Sequence, residues 1–215
     1  MSNPAAVKAT RDTKERILDA AEELFAEHGV EATSIRSVIS LAEVNLAAIH
    51  YHFGSKEELL RAVVARRIDP LNEERIRMLD EYERGGEFTL EQVLEAFVGP
   101  MMRWSYGETR SSGIPKLIGR LLGEPGFFSK IAPEQFGKIK TRFSQALGQC
   151  LPDLSPEELF WRLMLIVGAS TYVLRVADHL PSLSNGICGD VSAETATNRI
   201  VAFLAAGLRA EASGE

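Results

Sequence analysis

A short stretch near the N-terminus combines side chains suited to contacting DNA. Set on a helix at about 100° per residue, Ala47, Ala48 and Tyr51 lie on one face, with His50 and His52 on its flanks. This face lacks the Lys and Glu residues of an ordinary solvated helix surface. Alanine allows close approach to base edges and can meet a thymine methyl group, while Tyr and His side chains can reach phosphates. These residue types therefore indicate recognition of double-stranded DNA.

The sequence shows few features of a catalytic site or a metal site. His50 and His52 are two positions apart, so on a helix they diverge by about 200° and cannot chelate one ion. The sequence carries no nucleophile-elbow, phosphate-loop, dinucleotide-binding or zinc-protease motif. Its two cysteines, Cys150 and Cys188, lack the spacing of metal ligands. We therefore expect no enzymatic activity, no metal and no cofactor.

Two short helices around a tight turn are expected to position the candidate DNA-contacting face. Thr33 or Ser34 caps the first of these helices, and Asn45 caps the second, with a turn at residues 41–44 between them. The segment 34–53 thus has the length and pattern of a helix-turn-helix.

The other face of the recognition helix is predicted to be packed inside the protein. Leu46, Ile49 and Phe53 fall within about 60° of one another and are expected to pack on the two preceding helices. The alternative is that Tyr51 and the histidines are half-buried packing residues in a helical bundle that does not bind nucleic acid.

The rest of the chain also reads as helix, because proline and glycine punctuate it and no sustained period-2 alternation occurs. A first helix is expected from about Asp12 to His28. Ser55 opens a long fourth helix that runs to Gly85, with a kink or break at Pro70. Further helices are predicted at about 89–106, 114–123, 127–150, 156–178 and 192–208, with loops at 107–113 and 181–189.

The charge balance argues against a nonspecific basic coat for DNA. The 215 residues include 24 Lys and Arg against 30 Asp and Glu, for a net charge of −6. Residues 1–67 hold nine basic and ten acidic side chains, so this part is nearly neutral. DNA binding must therefore come from a local arrangement of charges and helix ends.

The chain is expected to be cytoplasmic and to have no membrane partner. Its N-terminus lacks the apolar run of a signal peptide. The longest apolar run, around residues 163–173, is interrupted by Gly168, Ser170 and Thr171 and falls short of the roughly 18 residues that span a bilayer.

One long segment resembles the DNA-binding domain of the TetR family: TKERILDAAEELFAEHGVEATSIRSVISLAEVNLAAIHYHFGSKEELLRAVV. The resemblance includes Gly29 after the first helix, the Tyr51-His52-Phe53 run and the SKEEL entry into the fourth helix. It implies a ligand-responsive repressor that binds a palindromic operator as a homodimer. The third helix of each protomer would then enter the major groove of one half-site. An adaptor or structural protein with a vestigial helix-turn-helix is the alternative.

The resemblance also implies which positions contact DNA. The matching positions are Thr33, Arg36, Asn45, Tyr51, His52 and Lys56. His50 stands where many family members carry Tyr. With Ser34 and the outward residues Ala47, Ala48 and His50, these positions make the candidate DNA-binding set. Asn45 and Ser55 begin helices whose free N–H groups can meet phosphates.

The expected fold is all-α, with two parts. A three-helix helix-turn-helix DNA-binding domain occupies residues 1–67, and a larger C-terminal helical domain for ligand binding and dimerisation occupies residues 68–215.

The larger domain is expected to hold a small apolar ligand. LSPEELFWRLMLIVGAS, residues 154–170, and VNLAAIHYHFGSKEELLRAVVARRIDPLN, residues 44–72, are similar to the TetR branch that senses fatty acids or acyl-CoA esters. Adaptable methionine and aromatic side chains suit such a ligand, although the same residues would also suit a plain core. The candidate lining residues are Phe97, Met101, Trp104, Leu121, Phe143 and Trp161.

The dimer interface is expected on the helix at 156–178 and on the last helix. The former is apolar around most of its circumference, so it must be buried on more than one side. The candidate interface residues are Gly168, Ala169, Ile200, Phe203 and Leu204. The alternative is that both are core helices of a monomer. A palindromic site, however, needs two DNA-binding domains, one for each half-site.

Overall fold

The computed structural model describes residues 4–106 and 132–211, without the side chains of residues 4–11, 132, 134, 135 and 178. Within these ranges the chain is built from helices and turns, and no strand occurs there. The helix at 114–123 and the loop at 107–113 that the sequence predicts lie outside the described residues. The helices are α1 Pro4–His28, α2 Ile35–Ala42, α3 Leu46–His52, α4 Lys56–Arg84, α5 Leu90–Tyr106, α6 Ala132–Cys150, α7 Pro156–Val176, α8 Leu180–Leu183 and α9 Ala193–Leu208, with a 3₁₀ turn at Ala177–His179.

Local side-chain caps determine where these helices begin. Ser34 Oγ accepts a hydrogen bond from the Ser37 N–H at 3.0 Å, and Asn45 Oδ1 accepts one from the Ala48 N–H at 2.9 Å. Each cap satisfies an N–H group that the first turn of a helix leaves without a partner. The same kind of cap begins α4, α7 and α9, at Ser55, Ser155 and Ser192. The predicted starts of these helices are therefore confirmed.

Three features differ from the sequence prediction. The first helix begins at Pro4 rather than near Asp12. The fourth helix continues through Pro70 without a break. A short helix, Leu180–Leu183, occupies part of the predicted 181–189 loop. Its proline stands in the first turn, where the missing N–H would have no partner within the helix.

The described chain divides into two compact units: residues 4–69 with 132–135 form the first, and residues 70–106 with 136–211 form the second. In the first unit, α1 packs on α2 and α3. The most deeply buried side chains of this unit are Ile17, Ala21, Phe25, Val38, Ile49, Leu59, Val63 and Val64. The domain boundary after residue 67 stays a prediction.

The second unit is organised around the long contact between α5 and α9. Phe97 of α5 meets Phe143 of α6 edge to face, with ring centroids 5.1 Å apart. Ile200 and Leu204 of α9 are buried in the same core.

Among the described helices, α7 alone is long and apolar enough to cross a membrane, by length and composition only. This corrects the expectation that no such stretch exists, since Gly168, Ser170 and Thr171 interrupt the run without making it polar on average. Only 28% of the apolar window is buried within the chain. The helix therefore has a large face that its own chain does not cover.

Candidate nucleic-acid interface

The third helix is held by its buried face and by both of its ends. Ile49 and Phe53 are buried against the first unit's core. Asn45 caps the start of the helix, and Gly54 follows its end with a φ of +75°, a backbone conformation that favours glycine. The position of the outward face is therefore set by local hydrogen bonds and packing together.

The turn between α2 and α3 is tied to α1 by Arg16. Arg16 Nη2 donates to the carbonyl oxygen of Ala42 at 2.5 Å and to that of Glu43 at 2.9 Å. Glu43 itself lies in the left-handed region, with φ 50°. A guanidinium that bonds two carbonyls at the end of a helix satisfies groups the helix leaves open. The sequence reasoning missed Arg16, because its partners lie far away along the chain.

The outward face of α3 carries most of the residues expected to contact DNA. Tyr51 is 79% exposed, and Ala47 and His50 are also exposed. Ala48 and His52 are half-buried at the edges of this face. The face thus combines two small residues with three ring-bearing side chains, and no acidic residue lies on α3.

Contacts within this face order its rings. The Tyr51 and His52 rings meet edge to face, with centroids 5.0 Å apart. His50 Nδ1 lies 3.1 Å from the Gly54 carbonyl oxygen. Since a carbonyl only accepts, Nδ1 is the donor, and Nε2 is the acceptor of the neutral ring. His50 can therefore meet a base edge through Nε2.

Two basic side chains flank the recognition helix. Arg36 is exposed on α2, which begins at the exposed cap Ser34. Lys56, at the first position of α4, donates to the Glu31 carbonyl oxygen at a long 3.4 Å. This contact leaves the ammonium charge uncompensated, and it lies at the N-terminal, positive end of a 29-residue helix. Both features favour the binding of a DNA phosphate at this position.

Thr33 belongs to the core of the unit rather than to its DNA-facing surface. Its side chain is buried, and its hydroxyl donates to the carbonyl oxygens of Leu24 at 3.1 Å and Gly29 at 2.7 Å. Its N–H donates to the Val30 carbonyl at 3.3 Å. Burial therefore corrects the expectation that the Thr33 side chain contacts DNA. The residue closes the C-terminal end of α1 instead.

Leu46 lies outside the core that the helical-wheel argument assigned to it. It is exposed at the first position of α3, and Leu41 on α2 is exposed as well. Both add apolar surface to the elements that carry the candidate DNA contacts. The sequence pattern gave no signal for Leu46, which matches an inward-facing stripe, and it placed Leu41 in the turn rather than on α2.

Much of the first unit's acidic charge is neutralised between α1 and α4. Arg66 Nη2 lies 2.6 Å from Glu22 Oε2, and Arg66 Nη1 lies 2.7 Å from Asp19 Oδ1. Burial disfavours the charged guanidinium, but the bonds to Glu22 and Asp19 outweigh burial and raise the pKa of Arg66. Arg66 lies about 15 Å along α4 from Lys56. The net charge of the unit therefore says little about the surface around α3.

The candidate ligand-lining residues fall into three groups. Phe97, Met101 and Phe143 are buried together in the second unit. Trp104, farther along the same helix as Phe97, is half-buried. Leu121 lies outside the described residues.

An exposed apolar stripe runs along α7. Trp161, expected in the ligand chamber, is 62% exposed on this stripe, which corrects its assignment. Gly168 lies on the same exposed side, and a Cβ atom there would meet nothing within 4 Å. The large apolar members of the stripe are Phe160, Trp161, Met164, Leu165 and Tyr172.

The candidate interface residues of α9 separate onto two faces. Phe203 is 75% exposed, whereas Ile200 and Leu204 are buried in the chain's own core. Burial corrects the assignment of Ile200 and Leu204 to a surface that meets a second protomer. Ala169 on α7 is half-buried. The side of α9 that carries Phe203 is the one left uncovered.

Metal binding has no site in the part of the chain that the structure describes. No group of three or more His, Cys, Asp or Glu side chains there is placed to hold an ion. Burial raises the pKa of the Cys150 thiol, which makes its reactive thiolate less accessible.

Two family models match the sequence. One, described as bacterial regulatory proteins of the tetR family, covers residues 17–63. The other, described as a tetracyclin repressor-like C-terminal domain, covers residues 95–207, which is more than half of the chain.

The chain is also similar to individual transcriptional regulators and to a solved structure. The uncharacterized HTH-type transcriptional regulator TtgW of Pseudomonas putida is 33% identical over 103 residues, which are 48% of this chain and 75% of that protein. The nicotine-responsive transcriptional repressor HdnoR of Paenarthrobacter nicotinovorans is 35% identical over 75 residues, covering 35% of this chain and 39% of that protein. The structure of FadR from Bacillus subtilis, in complex with stearoyl-CoA, matches with a TM-score of 0.65 and 16% identity over 90% of this chain and 98% of that one.

Proposed function

Since the chain belongs to the TetR family of bacterial regulatory proteins, and is thus a helix-turn-helix transcriptional regulator, we propose that it binds a palindromic operator as a homodimer and is released or retained by an apolar acyl ligand. The observation that carries the DNA-binding part is the outward face of α3. This face is exposed, free of acidic residues and anchored by Asn45, Gly54 and Arg16.

The DNA contacts follow from the chemistry of each position. Ala47 and Ala48 allow the helix to approach base edges, and His50 accepts a hydrogen bond through Nε2. Tyr51 and Lys56 bind phosphates and set the register of the helix in the groove. The supporting contacts are those of Ser34, Arg36, Asn45 and His52. The domain boundary after residue 67 is part of this proposal.

Dimerisation follows from the uncovered faces of α7 and α9. A monomeric soluble protein rarely leaves a continuous apolar patch exposed, and such patches mark interaction sites. The opposite side of α7 packs in its own unit, where Arg162 is bonded to Glu158 at 2.7 Å and to the Leu208 carbonyl. A second copy of the same stripe is an isologous partner of matching chemistry. We propose that this regulator is cytoplasmic and has no catalytic activity.

The ligand is proposed to lie in the second unit, beside the buried Phe97, Met101 and Phe143. Their apolar, adaptable side chains suit an acyl chain of medium or long length. The FadR structure holds an acyl-CoA, although its low identity shows the fold alone. The fatty acid and the acyl-CoA are therefore both ligands to be tested.

The fourth helix is proposed to couple the ligand to DNA. It is continuous from Lys56 to Arg84 and therefore passes from the first unit into the second. Two recognition helices must lie about one DNA turn apart, roughly 34–36 Å, or a near multiple, to engage both half-sites. A coupling of about 1–3 kcal/mol changes DNA affinity by about 5–150-fold.

The experiment is a titration of fatty acids and acyl-CoA esters into the complex of the protein with DNA from upstream of its own gene. A change in operator affinity with chain length supports the proposal. A specific DNA complex that no acyl compound alters removes the acyl ligand but leaves the regulator. The absence of any specific complex supports an adaptor with a vestigial helix-turn-helix.

A further inference from the structure

Arg75 is a buried cation without a carboxylate partner in the described part of the chain. It lies on α4 in the second unit and is 3% exposed. The other buried arginine of the described residues, Arg162, is bonded to the Glu158 carboxylate at 2.7 Å. The two buried guanidinium groups therefore differ in their charge balance.

The partners of Arg75 are all neutral. Its Nε donates to the Phe97 carbonyl oxygen at 2.8 Å, and Nη1 donates to Asn72 Oδ1 at 3.3 Å. Nη2 lies 3.9 Å from the Met101 sulfur, and the guanidinium carbon lies 4.2 Å from the centroid of the Phe97 ring. Burial lowers the pKa of Arg75 to about 9, so the group still carries its charge at neutral pH.

Burying a charged guanidinium without a carboxylate partner costs free energy. Holding α4 against α5 does not require a charged side chain. Replacing buried charges by apolar side chains of similar volume is often neutral or stabilising. Neutral acceptors and an aromatic face offset only part of the desolvation of a guanidinium. An anion that reaches Arg75 would remove most of this cost.

A second polar group without a partner lies on the same face of α5 as the contacts of Arg75. Ser105 is 2% exposed, and its Oγ has no hydrogen-bond partner within the described structure. Phe97, Met101 and Ser105 follow one another at four-residue spacing, so they lie within about 80° around the helix. The hydroxyl is therefore one turn, about 6 Å, beyond the Met101 side chain that Arg75 meets.

The surroundings of these polar groups select an amphiphile. Phe143 packs edge to face on the Phe97 ring, and Met101 and Met102 are buried on the same helix. An inorganic anion would leave these side chains without a complementary partner, whereas an apolar molecule with one acid group matches both parts of the site.

We propose that Arg75 and Ser105 bind the carboxylate of an enclosed acyl chain, so that this regulator senses a free fatty acid rather than its CoA ester. The inference rests on the proposed acyl-sensing function. The acyl carbonyl of a thioester carries no negative charge, and the phosphates of CoA are too strongly hydrated to enter a site this buried. Because Arg75 lies on α4, the acid binds directly to the helix that begins at Lys56.

The test compares three probes of equal chain length by calorimetry at pH 8: dodecanoate, 1-dodecanol and dodecanoyl-CoA. The wild-type protein should bind dodecanoate at least about tenfold more tightly than the other two. Arg75→Met should abolish this preference while leaving dodecanol affinity unchanged, and Ser105→Ala should weaken dodecanoate binding several-fold. Arg77→Met is the matched control, because Arg77 is an exposed arginine on the same helix, and it should keep the preference.

The outcomes separate this inference from the function on which it rests. Equal wild-type affinity for dodecanoate and dodecanol, or unchanged dodecanoate binding by Arg75→Met, would overturn the carboxylate site while leaving acyl sensing intact. Binding of none of the three, with no effect on the operator complex, overturns the acyl ligand itself. Arg75→Met should melt at the same temperature as the wild type or higher. A lower melting temperature together with lost dodecanol affinity would show that Arg75 is a structural residue. The comparison of the three probes with the wild-type protein does not depend on the folding of any variant.

Discussion

Glu22 Oε2 on α1 lies 2.6 Å from Arg66 Nη2 on α4. The other oxygen of the same carboxylate lies 2.8 Å from Arg67 Nη2, so one carboxylate joins two consecutive arginines. Because α1 packs on α2 and α3, this link ties the part of α4 before Pro70 to the unit that carries the recognition helix. In the proposed coupling, this link would pass a movement of that part of α4 on to the helix-turn-helix.

Replacing Glu22 by Ala is expected to lower the free energy of unfolding by about 2–3 kcal/mol. The change leaves two partly buried guanidinium groups without their shared carboxylate, and breaking a buried pair is far costlier than losing an exposed one. Urea unfolding followed by circular dichroism measures the difference. Asp19→Ala is the matched control, because this carboxylate is 69% exposed and pairs with the same arginine. Equal losses for both variants would show that Glu22 has no special role.

Tyr51→Ala is expected to weaken operator binding about tenfold, or ~1.4 kcal/mol, across operator sequences. The side chain projects from the outward face of α3 and makes no core contact that the fold requires. Fluorescence anisotropy with labelled operator measures the affinity, and circular dichroism checks the fold. Tyr51→Phe separates the hydroxyl from the ring. Unchanged affinity for a folded Tyr51→Ala variant would exclude Tyr51 from the interface.

Lys56→Ala is expected to weaken binding to specific and nonspecific DNA alike. It should also reduce the slope of log affinity against log salt by about 0.9, as expected for one lost phosphate contact. The measurement is operator affinity at several salt concentrations. Lys138→Ala provides the control, since Lys138 is an exposed lysine on α6 in the second unit. An unaltered slope for Lys56→Ala would contradict the phosphate contact.

Gly168→Leu is expected to weaken dimerisation about tenfold or more. A Cβ atom at this position would meet nothing within 4 Å in its own chain, and a leucine there would hold a second α7 stripe away from close packing. Analytical ultracentrifugation measures the dimer dissociation constant. Gly137→Leu makes the same change at an open glycine of α6, outside the apolar stripe, and should leave dimerisation unchanged. A wild-type monomer at micromolar concentration would refute the interface.

Helix starts could be predicted from the sequence because their causes are local. Ser34, Asn45 and Ser55 each bond a backbone N–H three residues away, so the cap and its partner lie in one short window. The identity of the recognition helix follows from the same local pattern and from its resemblance to a known family.

The side of a helix that faces the core depends on distant partners, and there the sequence was less informative. Leu46 fits an inward stripe by angle, yet it stands at the first turn of α3, where nothing covers it. Trp161 lies on a helix that is apolar nearly all round, so periodicity gives no direction. Thr33 was assigned to the DNA contacts by its match to a family position, and the carbonyl groups that bond its hydroxyl belong to the end of α1 rather than to α2.

Arg75 was missed for a related reason. It stands in the run Asn-Glu-Glu-Arg-Ile-Arg, whose composition is typical of a solvated helix face. Its burial becomes visible only when α4 is placed against Phe97 of α5. No spacing rule within one helix identifies a charged residue that a second helix encloses.

Specific operator binding by a dimer can be tested by quantitative competition on the DNA upstream of the gene. At about 150 mM salt, the wild-type protein should bind that DNA as two protomers, at least about 10³-fold more tightly than unrelated DNA of equal length. Footprinting should show two protected half-sites centred about one helical turn apart or a near multiple. Equal affinity for upstream and unrelated DNA, or one protomer on one unpaired site, would contradict the claim.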